Sequence, residues 1–204
     1  MPDNETLQNS SPVQIASMTT ILRRPDIARD LLDRAKSAEK NWAIPASSIA
    51  EATEAEVTSM REVDRVNAQV LRRIVSLHGW PGRSLVGTEA AQAALAIALH
   101  ADHDPPFQRT LLRMLYAAVQ LGEATPAQWA HLYDRWLIHD QRVQVYGTQY
   151  RYRSAGLEPH PITDPEHLDR RRASVGLPPY EEQAYAARQH HTRQPEPHRP
   201  VPHQ

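Results

Sequence analysis

The sequence lacks cysteine, long apolar runs and an excess of either charge. Without cysteine, the 204-residue chain has no disulfide framework, no thiol nucleophile and no cysteine-bound metal. Its 23 Lys+Arg against 24 Asp+Glu argue against a binder of nucleic acid or anionic membranes, which usually carries a basic excess. No apolar run reaches about 18 residues, and the N-terminal segment lacks a basic start followed by an apolar stretch. We therefore expect a cytoplasmic protein with no nucleic-acid or membrane partner, no metal and no cofactor.

Proline is common and unevenly placed. The chain has 17 prolines against 7 glycines, and the last ten residues hold Pro195, Pro197, Pro200 and Pro202. Segments of this composition bury too little apolar surface to offset the entropy lost on ordering. We expect disordered tails at residues 1–12 and 188–204. The 13–187 region between them suits a single domain, since one core usually spans about 100–200 residues.

A helical period dominates the chain up to about residue 140. Pro25 is placed to open a first helix, and a long apolar pattern from Ile49 to Leu77 ends before Gly79, which with the following Pro81 is a strong stop signal. That pattern fits one helix of about 30 residues or two helices with a bend. Residues 90–99 are apolar on nearly every side, which places their helix in the middle of a bundle. With two more helices after it, the pattern predicts an all-α helical bundle.

The pattern changes near the C-terminus. Apolar and polar residues alternate between Val143 and Arg153 with a period of two, and residues 161–163 could return as a short strand. We predict a small β-hairpin or extended arm laid on the bundle. A helix opened by Asp164 and Pro165 should follow, and a last short helix should run through about Ala187.

His100 and Asp102 stand at the end of the apolar helix. A nearly all-apolar helix has no structural need for them, so they could form the floor of a pocket. The helix dipole stabilises a protonated histidine at this end, which suits a proton donor. The alternative is that both residues only cap and solvate the helix end.

Asp134 and Arg135 lie on opposite flanks of the amphipathic helix that Thr125 and Pro126 open, at about 100° per residue. They could be a solvated pair of charges. If the helix is covered on two faces, one of them is buried and must be paired. An arginine fork held by a carboxylate is then a common way to present an anion site.

Two strings remain as candidates: Gln-Val-Tyr-Gly-Thr-Gln at residues 144–149 and Arg-Arg-Arg at residues 170–172. Neutral donors and acceptors in the first string could fix a polar substrate, or the string could be an ordinary polar turn. The arginines could contact phosphate, or they could simply complement the helix dipole.

Several strings of the chain occur together, in this order, in a known family. They are His78-Gly79-Trp80-Pro81, Val86-Gly87, His100-Ala101-Asp102, Gln108, Asp134-Arg135, Gln144 with Tyr146-Gly147-Thr148-Gln149, and Arg171-Arg172 with Val175-Gly176-Leu177. Over about Met60 to Tyr180 the sequence resembles a bacterial family of uncharacterised proteins with a domain of unknown function. Leu99 departs from the pattern, which has glutamine there. The resemblance implies no activity, but it implies that these polar residues are the feature to explain.

We therefore hypothesise one polar pocket, with acid–base chemistry such as hydrolysis or elimination on a small polar or anionic substrate. The expected catalytic residues are His100, Asp102, Asp134 and Arg135. The expected substrate-binding residues are Gln108, Gln144, Tyr146, Thr148, Gln149, Arg171 and Arg172. The alternative is a non-catalytic module that binds a protein partner, with the same polar residues forming a structural hydrogen-bond network.

Overall fold

The computed structural model describes residues 22–42, 52–153 and 156–192, and these residues form an all-α fold with one small hairpin. The helices are α1 (Pro25–Trp42), α2 (Glu54–His78), α3 (Arg83–Val86), α4 (Thr88–Leu99), α5 (Pro105–Gln120), α6 (Pro126–His139), α7 (Leu168–Ser174) and α8 (Tyr180–Thr192). A single 3₁₀ turn at Pro165–His167 precedes α7, and the strands are β1 (Tyr150–Arg153) and β2 (Gly156–Pro159). The predicted fold class is confirmed.

The apolar helix α4 occupies the centre of the bundle, as its lack of a polar face predicts. It contacts α1, α2, α3, α5 and α6. Its buried side chains are mostly alanines, with Leu95 and Ile97 among them. The small alanine side chains let the surrounding helices approach closely, and the packed helices hold the end of α4, where His100 and Asp102 follow, in a defined place.

Helix ends follow local capping chemistry. The side chain of Thr53 accepts a hydrogen bond from the backbone N–H of Glu56, and the Glu56 carboxylate accepts one from the backbone N–H of Thr53, so α2 begins with a capping box. The part of the predicted long helix before residue 52 lies outside the described residues. At the other end of the chain, α8 continues to Thr192, beyond the predicted end at Ala187. The predicted tail at 1–12 and residues 193–204 also lie outside the described part.

The hairpin is shorter than the alternating pattern predicts. Antiparallel pairing begins at Tyr150, opposite Pro159, and ends at Arg153, opposite Gly156. The predicted return strand at 161–163 is reduced to an isolated bridge between Gln144 and Ile162. The reason is that the backbone N–H groups of residues 145, 146 and 148 are bonded to a side chain of α6, so they cannot join a sheet ladder.

No helix among the described residues combines the length and the apolar character needed to cross a membrane.

Candidate functional site

Helix α6 directs its two adjacent charged residues to different places. Arg135 reaches Asp102 beyond the end of α4, whereas Asp134 is fully buried against residues 145–148. Successive residues on a helix are about 100° apart, so neighbours in sequence face different surroundings. The residues expected in one pocket therefore divide into two groups, which we call the Asp102 cluster and the Asp134 cluster.

The Asp102 cluster consists of Asp102, Arg135, His139, Gln108 and His100. Arg135 binds the carboxylate of Asp102 with both arms of its guanidinium: Nε donates to Oδ1 at 3.1 Å, and Nη2 donates to Oδ2. His139 Nε2 lies 2.8 Å from the same Oδ1. The side chains of Asp102, Arg135 and His139 are 27%, 26% and 32% exposed. The carboxylate thus holds one arginine and one histidine next to each other, and both side chains are partly exposed to solvent.

The Asp102 carboxylate remains ionised because of these two partners. Burial alone would raise its pKa, but the hydrogen bond from His139 and the charge and hydrogen bonds of Arg135 outweigh burial, so the pKa of Asp102 lies well below its usual range. An ionised carboxylate can only accept hydrogen bonds, so His139 carries a proton on Nε2. In the neutral ring, the lone pair then lies on Nδ1.

His100 caps the C-terminal end of α4, and its ring stacks on Trp42 with the centroids 4.4 Å apart and the planes 5° from parallel. Trp42 is held in turn, because its Nε1 donates to Asp64 Oδ1 at 2.8 Å. Burial, with the nearby charge of Arg135, lowers the pKa of His100 to about 4. The expectation of a protonated His100 is therefore wrong, because burial of the ring disfavours its charged form.

Gln108 supports the cluster from α5. Its Nε2 donates to the backbone carbonyl of Ala98 and to Asp102 Oδ1, both at 3.2 Å. The side chain is fully buried, and its Oε1 has no hydrogen-bond partner among the described residues. Gln108 therefore ties the end of α4 to Asp102.

The Asp134 cluster is a buried carboxylate that collects hydrogen bonds from the segment 145–148. The backbone N–H groups of Val145, Tyr146 and Thr148 donate to Asp134 at 2.8, 3.1 and 3.0 Å. The hydroxyl of Thr148 adds a further bond at 3.0 Å. Backbone amides aimed at one carboxylate solvate its charge much as water would, so Asp134 is satisfied without an ion-pair partner.

Two glutamines, Gln144 and Gln149, join the ends of this segment by hydrogen bonds. Gln144 Nε2 donates to the carbonyls of Gln149 and His160 at 3.0 and 2.8 Å, and Gln144 Oε1 accepts from the Gln149 amide at 2.9 Å. Gln149 Nε2 donates to the carbonyl of His131 at 3.3 Å. The side-chain amide of Gln144 and the Nε2 group of Gln149, both expected to bind substrate, are thus engaged by the backbone of this chain.

The arginines of α7 hold the carbonyl side of the segment. Arg171 Nε donates to the carbonyl of Val145 at 3.1 Å, and Arg172 Nη1 donates to that of Tyr146 at 2.6 Å. Arg172 is fully buried and also donates to the carbonyl of Pro178 at 2.7 Å. Asp134 therefore accepts the N–H groups of residues 145, 146 and 148, while α7 binds the carbonyls of residues 145 and 146.

Sequence reasoning missed three residues of the Asp102 cluster and its surroundings: His139, Trp42 and Asp64. A signal for His139 was present, because it follows Arg135 by four positions and so lies on the same helix face. No sequence pattern indicated the Trp42–Asp64 contact, which joins α1 to α2. Among the described residues, no group of three or more histidine, aspartate or glutamate side chains is arranged to hold a metal ion.

Comparison with protein-family models matches residues 25–190 to a family of unknown function, DUF6624. Comparisons with curated proteins and with solved structures returned no match.

Proposed function

The chain belongs to the DUF6624 family, and we propose that it is an acid–base enzyme that acts on a small polar or anionic substrate at the Asp102 cluster. One observation carries this proposal: a single ionised carboxylate holds Arg135 and His139 side by side where both are partly exposed. A carboxylate that fixes the tautomer and orientation of a histidine is a recurrent support for proton transfer.

Arg135 is the proposed anion-binding group. Its Nε and Nη2 are used by Asp102, and its Nη1 forms no hydrogen bond within the described part of the chain. A guanidinium fixed in this way presents its remaining N–H groups to an anionic or developing negative charge with little loss of side-chain entropy.

His139 is the proposed general base in this arrangement. The sequence predicts His100 as the acid–base residue, but its pKa of about 4 makes it a weak base. His139 takes this role in the proposal because Asp102 is hydrogen-bonded to its ring. A neutral His100 stacked on Trp42 can still contribute a hydrogen bond to a bound polar group. In this proposal Asp134 and its partners act only by holding the segment 144–149.

The test begins with a ligand panel of phosphate, sulfate, acetate, citrate, AMP and single amino acids, measured by thermal shift on the full chain. A ligand at 100 times its Kd adds about 2.7 kcal/mol, which raises Tm by about 5–10 °C in a domain of this size. We expect at least one anion to do so in the wild type, and Arg135→Gln to abolish the shift. The control variant Arg142→Gln, which replaces an exposed arginine lying over the Trp136 ring, should retain the Tm shift.

The second step is hydrolysis of p-nitrophenyl acetate and p-nitrophenyl phosphate as general reporter substrates. His139→Gln should lower a wild-type rate by about 100-fold or more, while the exposed His167→Gln should leave it unchanged. A panel without any Tm shift, together with no hydrolysis of either reporter, would contradict the proposal.

A second candidate function rests on the Asp134 cluster. The side chains of Asp134, Gln144 and Gln149 and the arginines of α7 are engaged within the protein, as expected for a structural hydrogen-bond network in a module that binds a protein partner. This candidate predicts that no anion in the panel shifts Tm and that Arg135→Gln changes only stability, by about 1–3 kcal/mol, since Asp102 keeps His139 and Gln108 as partners.

A further inference from the structure

The C-terminal half of α5 carries an apolar stripe that the described part of the chain covers only in part. The stripe consists of Met114, Ala117, Ala118 and Leu121, whose spacing of i, i+3, i+4 and i+7 puts them on one helix face. Together with Leu85 they line a cavity of about 480 Å³. Leu121 is 78% exposed, and Ala117 is exposed as well. An apolar stripe on a helix normally packs against another element, so this one lacks a full partner within the described residues.

The charged residues of the cavity offset each other. Arg23 and Glu123 line it with opposite charges, and both are bonded to Ser84. Arg23 Nη2 donates to the Ser84 hydroxyl at 2.8 Å, and Glu123 Oε2 accepts the Ser84 backbone N–H at 2.8 Å. The remaining titratable residue of the lining, His78, is bonded to Arg24 through Nε2 at 2.7 Å. The cavity therefore selects neither an anion nor a cation, and its apolar stripe favours a neutral, apolar occupant.

The described part of the chain begins at the edge of this cavity. Leu22 is partly buried and packs on Gly87, where an added Cβ would lie 3.2 Å from Leu22 Cδ2. Arg23 lines the cavity itself. The backbone N–H of Arg24 donates to the carbonyl of Leu85, another lining residue, at 2.9 Å. The residues that precede Leu22 are therefore tethered beside the cavity.

Residues 13–21 have the composition that such an occupant needs. Their string, Val-Gln-Ile-Ala-Ser-Met-Thr-Thr-Ile, contains no charged residue. Ile15, Met18 and Ile21 recur at steps of three, a spacing typical of one apolar side of a helix. A fully extended string of this length spans about 30 Å, whereas the stripe on α5 is about 10 Å long. The segment can therefore reach every part of the stripe.

The other parts of the chain outside the described residues fit the stripe less well. Residues 1–12 contain two carboxylates and two prolines, and residues 193–204 contain four prolines with charged residues among them. A charge is costly to bury against an apolar surface. Residues 43–51 precede the other end of α2, which lies about 36 Å from His78. Residues 13–21 are thus both near the stripe and chemically suited to it.

We propose that residues 13–21 of this chain dock on the apolar stripe of α5 and cover the cavity. The three large apolar side chains of the segment pack against Met114, Ala117 and Leu121. This surface is separate from the Asp102 cluster, because the cavity includes part of α3, which precedes α4, and the cluster follows α4. The 12 residues of α4 span about 18 Å.

The test is cross-linking within the full chain, which has no native cysteine. Met18→Cys and Ala117→Cys are introduced together and treated with 1,2-bis(maleimido)ethane, and the rate of cross-linking within one chain is measured by mass spectrometry. Adding Ile15→Asp and Ile21→Asp should lower this rate at least tenfold, because the new charges oppose docking while the tether keeps its length.

The matched control adds Leu7→Asp and Ser10→Asp to the same two cysteines. These charges lie outside the docking segment and should leave the rate unchanged. An unchanged rate with Ile15→Asp and Ile21→Asp would mean that the tether alone brings the cysteines together, which overturns the proposal. Cross-links formed only between two chains would identify a second copy as the occupant and overturn it too, as would no cross-link at all.

Hydrogen exchange of the chain without cysteines gives a second readout, which holds even if the cysteine variants do not fold. The amides of residues 13–21 should exchange more slowly than those of residues 1–12, and Leu121→Asp, at an exposed position, should speed their exchange at least tenfold. Equal exchange in the two segments, or no effect of Leu121→Asp, overturns the proposal. Arg135→Gln should leave the exchange of residues 13–21 unchanged, which separates this surface from the proposed enzymatic site.

Discussion

Replacing Asp134 by asparagine should lower the free energy of unfolding by about 3 kcal/mol, because the segment 145–148 depends on both oxygens of this carboxylate. Oδ1 accepts from Val145 and Tyr146, and Oδ2 accepts from Tyr146 and from both the amide and the hydroxyl of Thr148. Asparagine retains one oxygen and turns an NH₂ group toward the donors of the other.

The magnitude follows from the donors left without an acceptor. Whichever oxygen asparagine replaces, at least one backbone amide of the segment loses its acceptor in a buried place, at about 1–3 kcal/mol for each such group. The NH₂ group of the asparagine also places a donor opposite the N–H and O–H donors of the segment. Burial lowers the pKa of Arg172 and the nearby charge of Asp134 opposes that shift, so the variant also removes a favourable interaction with Arg172. In a domain of this size, about 3 kcal/mol corresponds to a Tm lower by about 6–12 °C.

The assay is urea unfolding followed by far-ultraviolet circular dichroism, with amide hydrogen exchange at residues 145, 146 and 148. We expect these three amides to lose protection before the bundle unfolds, since they share one acceptor. Asp140→Asn at the exposed end of α6 is the matched control and should change stability by less than about 0.5 kcal/mol. An Asp134→Asn variant within about 1 kcal/mol of wild type, with normal exchange at the three amides, would refute this reasoning.

Two further predictions concern pH and backbone conformation. The pKa of His100 is lowered from 6.5 to about 4, so the fold favours the neutral ring; the resulting stability is present above about pH 6.5 and is lost as pH falls toward 4, up to about 3 kcal/mol. Urea titrations should show that the free energy of unfolding falls less between pH 7 and pH 4.5 in His100→Gln than in the wild type. Equal decreases in the two proteins would count against a neutral His100. Gly147→Ala should cost about 1–3 kcal/mol in unfolding free energy, because φ is +67° and the new Cβ would lie 3.2 Å from the ring of Tyr180. Gly176→Ala, with φ +73° and nothing within 4 Å, should cost less, and equal costs in thermal melts would exclude a role for the Tyr180 contact.

Much of the fold is readable from the sequence because its signals are local. Proline at the start of α1 and α6, the stop after His78 and the apolar character of residues 90–99 act within one or two turns of helix. The central place of α4 follows as well, since a helix without a polar face must be covered on all sides. Local alternation predicts the hairpin too, but not its register.

The tertiary structure decided how the polar residues are grouped. The sequence places Asp134 and Arg135 side by side, yet helix geometry and packing send one into the segment 145–148 and the other to Asp102. The start of β1 at Tyr150 has the same origin, because Asp134 takes the amides that would otherwise pair as a strand.

The state of the two histidines also depends on contacts between distant parts of the chain. His100 is neutral because Trp42, from another helix, buries its ring, and His139 joins the cluster because Asp102 lies across from α6. Desolvation and hydrogen bonding depend on which groups become neighbours after folding. The sequence by itself therefore determined the helices and the set of candidate residues, whereas only packing decided which of those residues share a site and which of them carry charge.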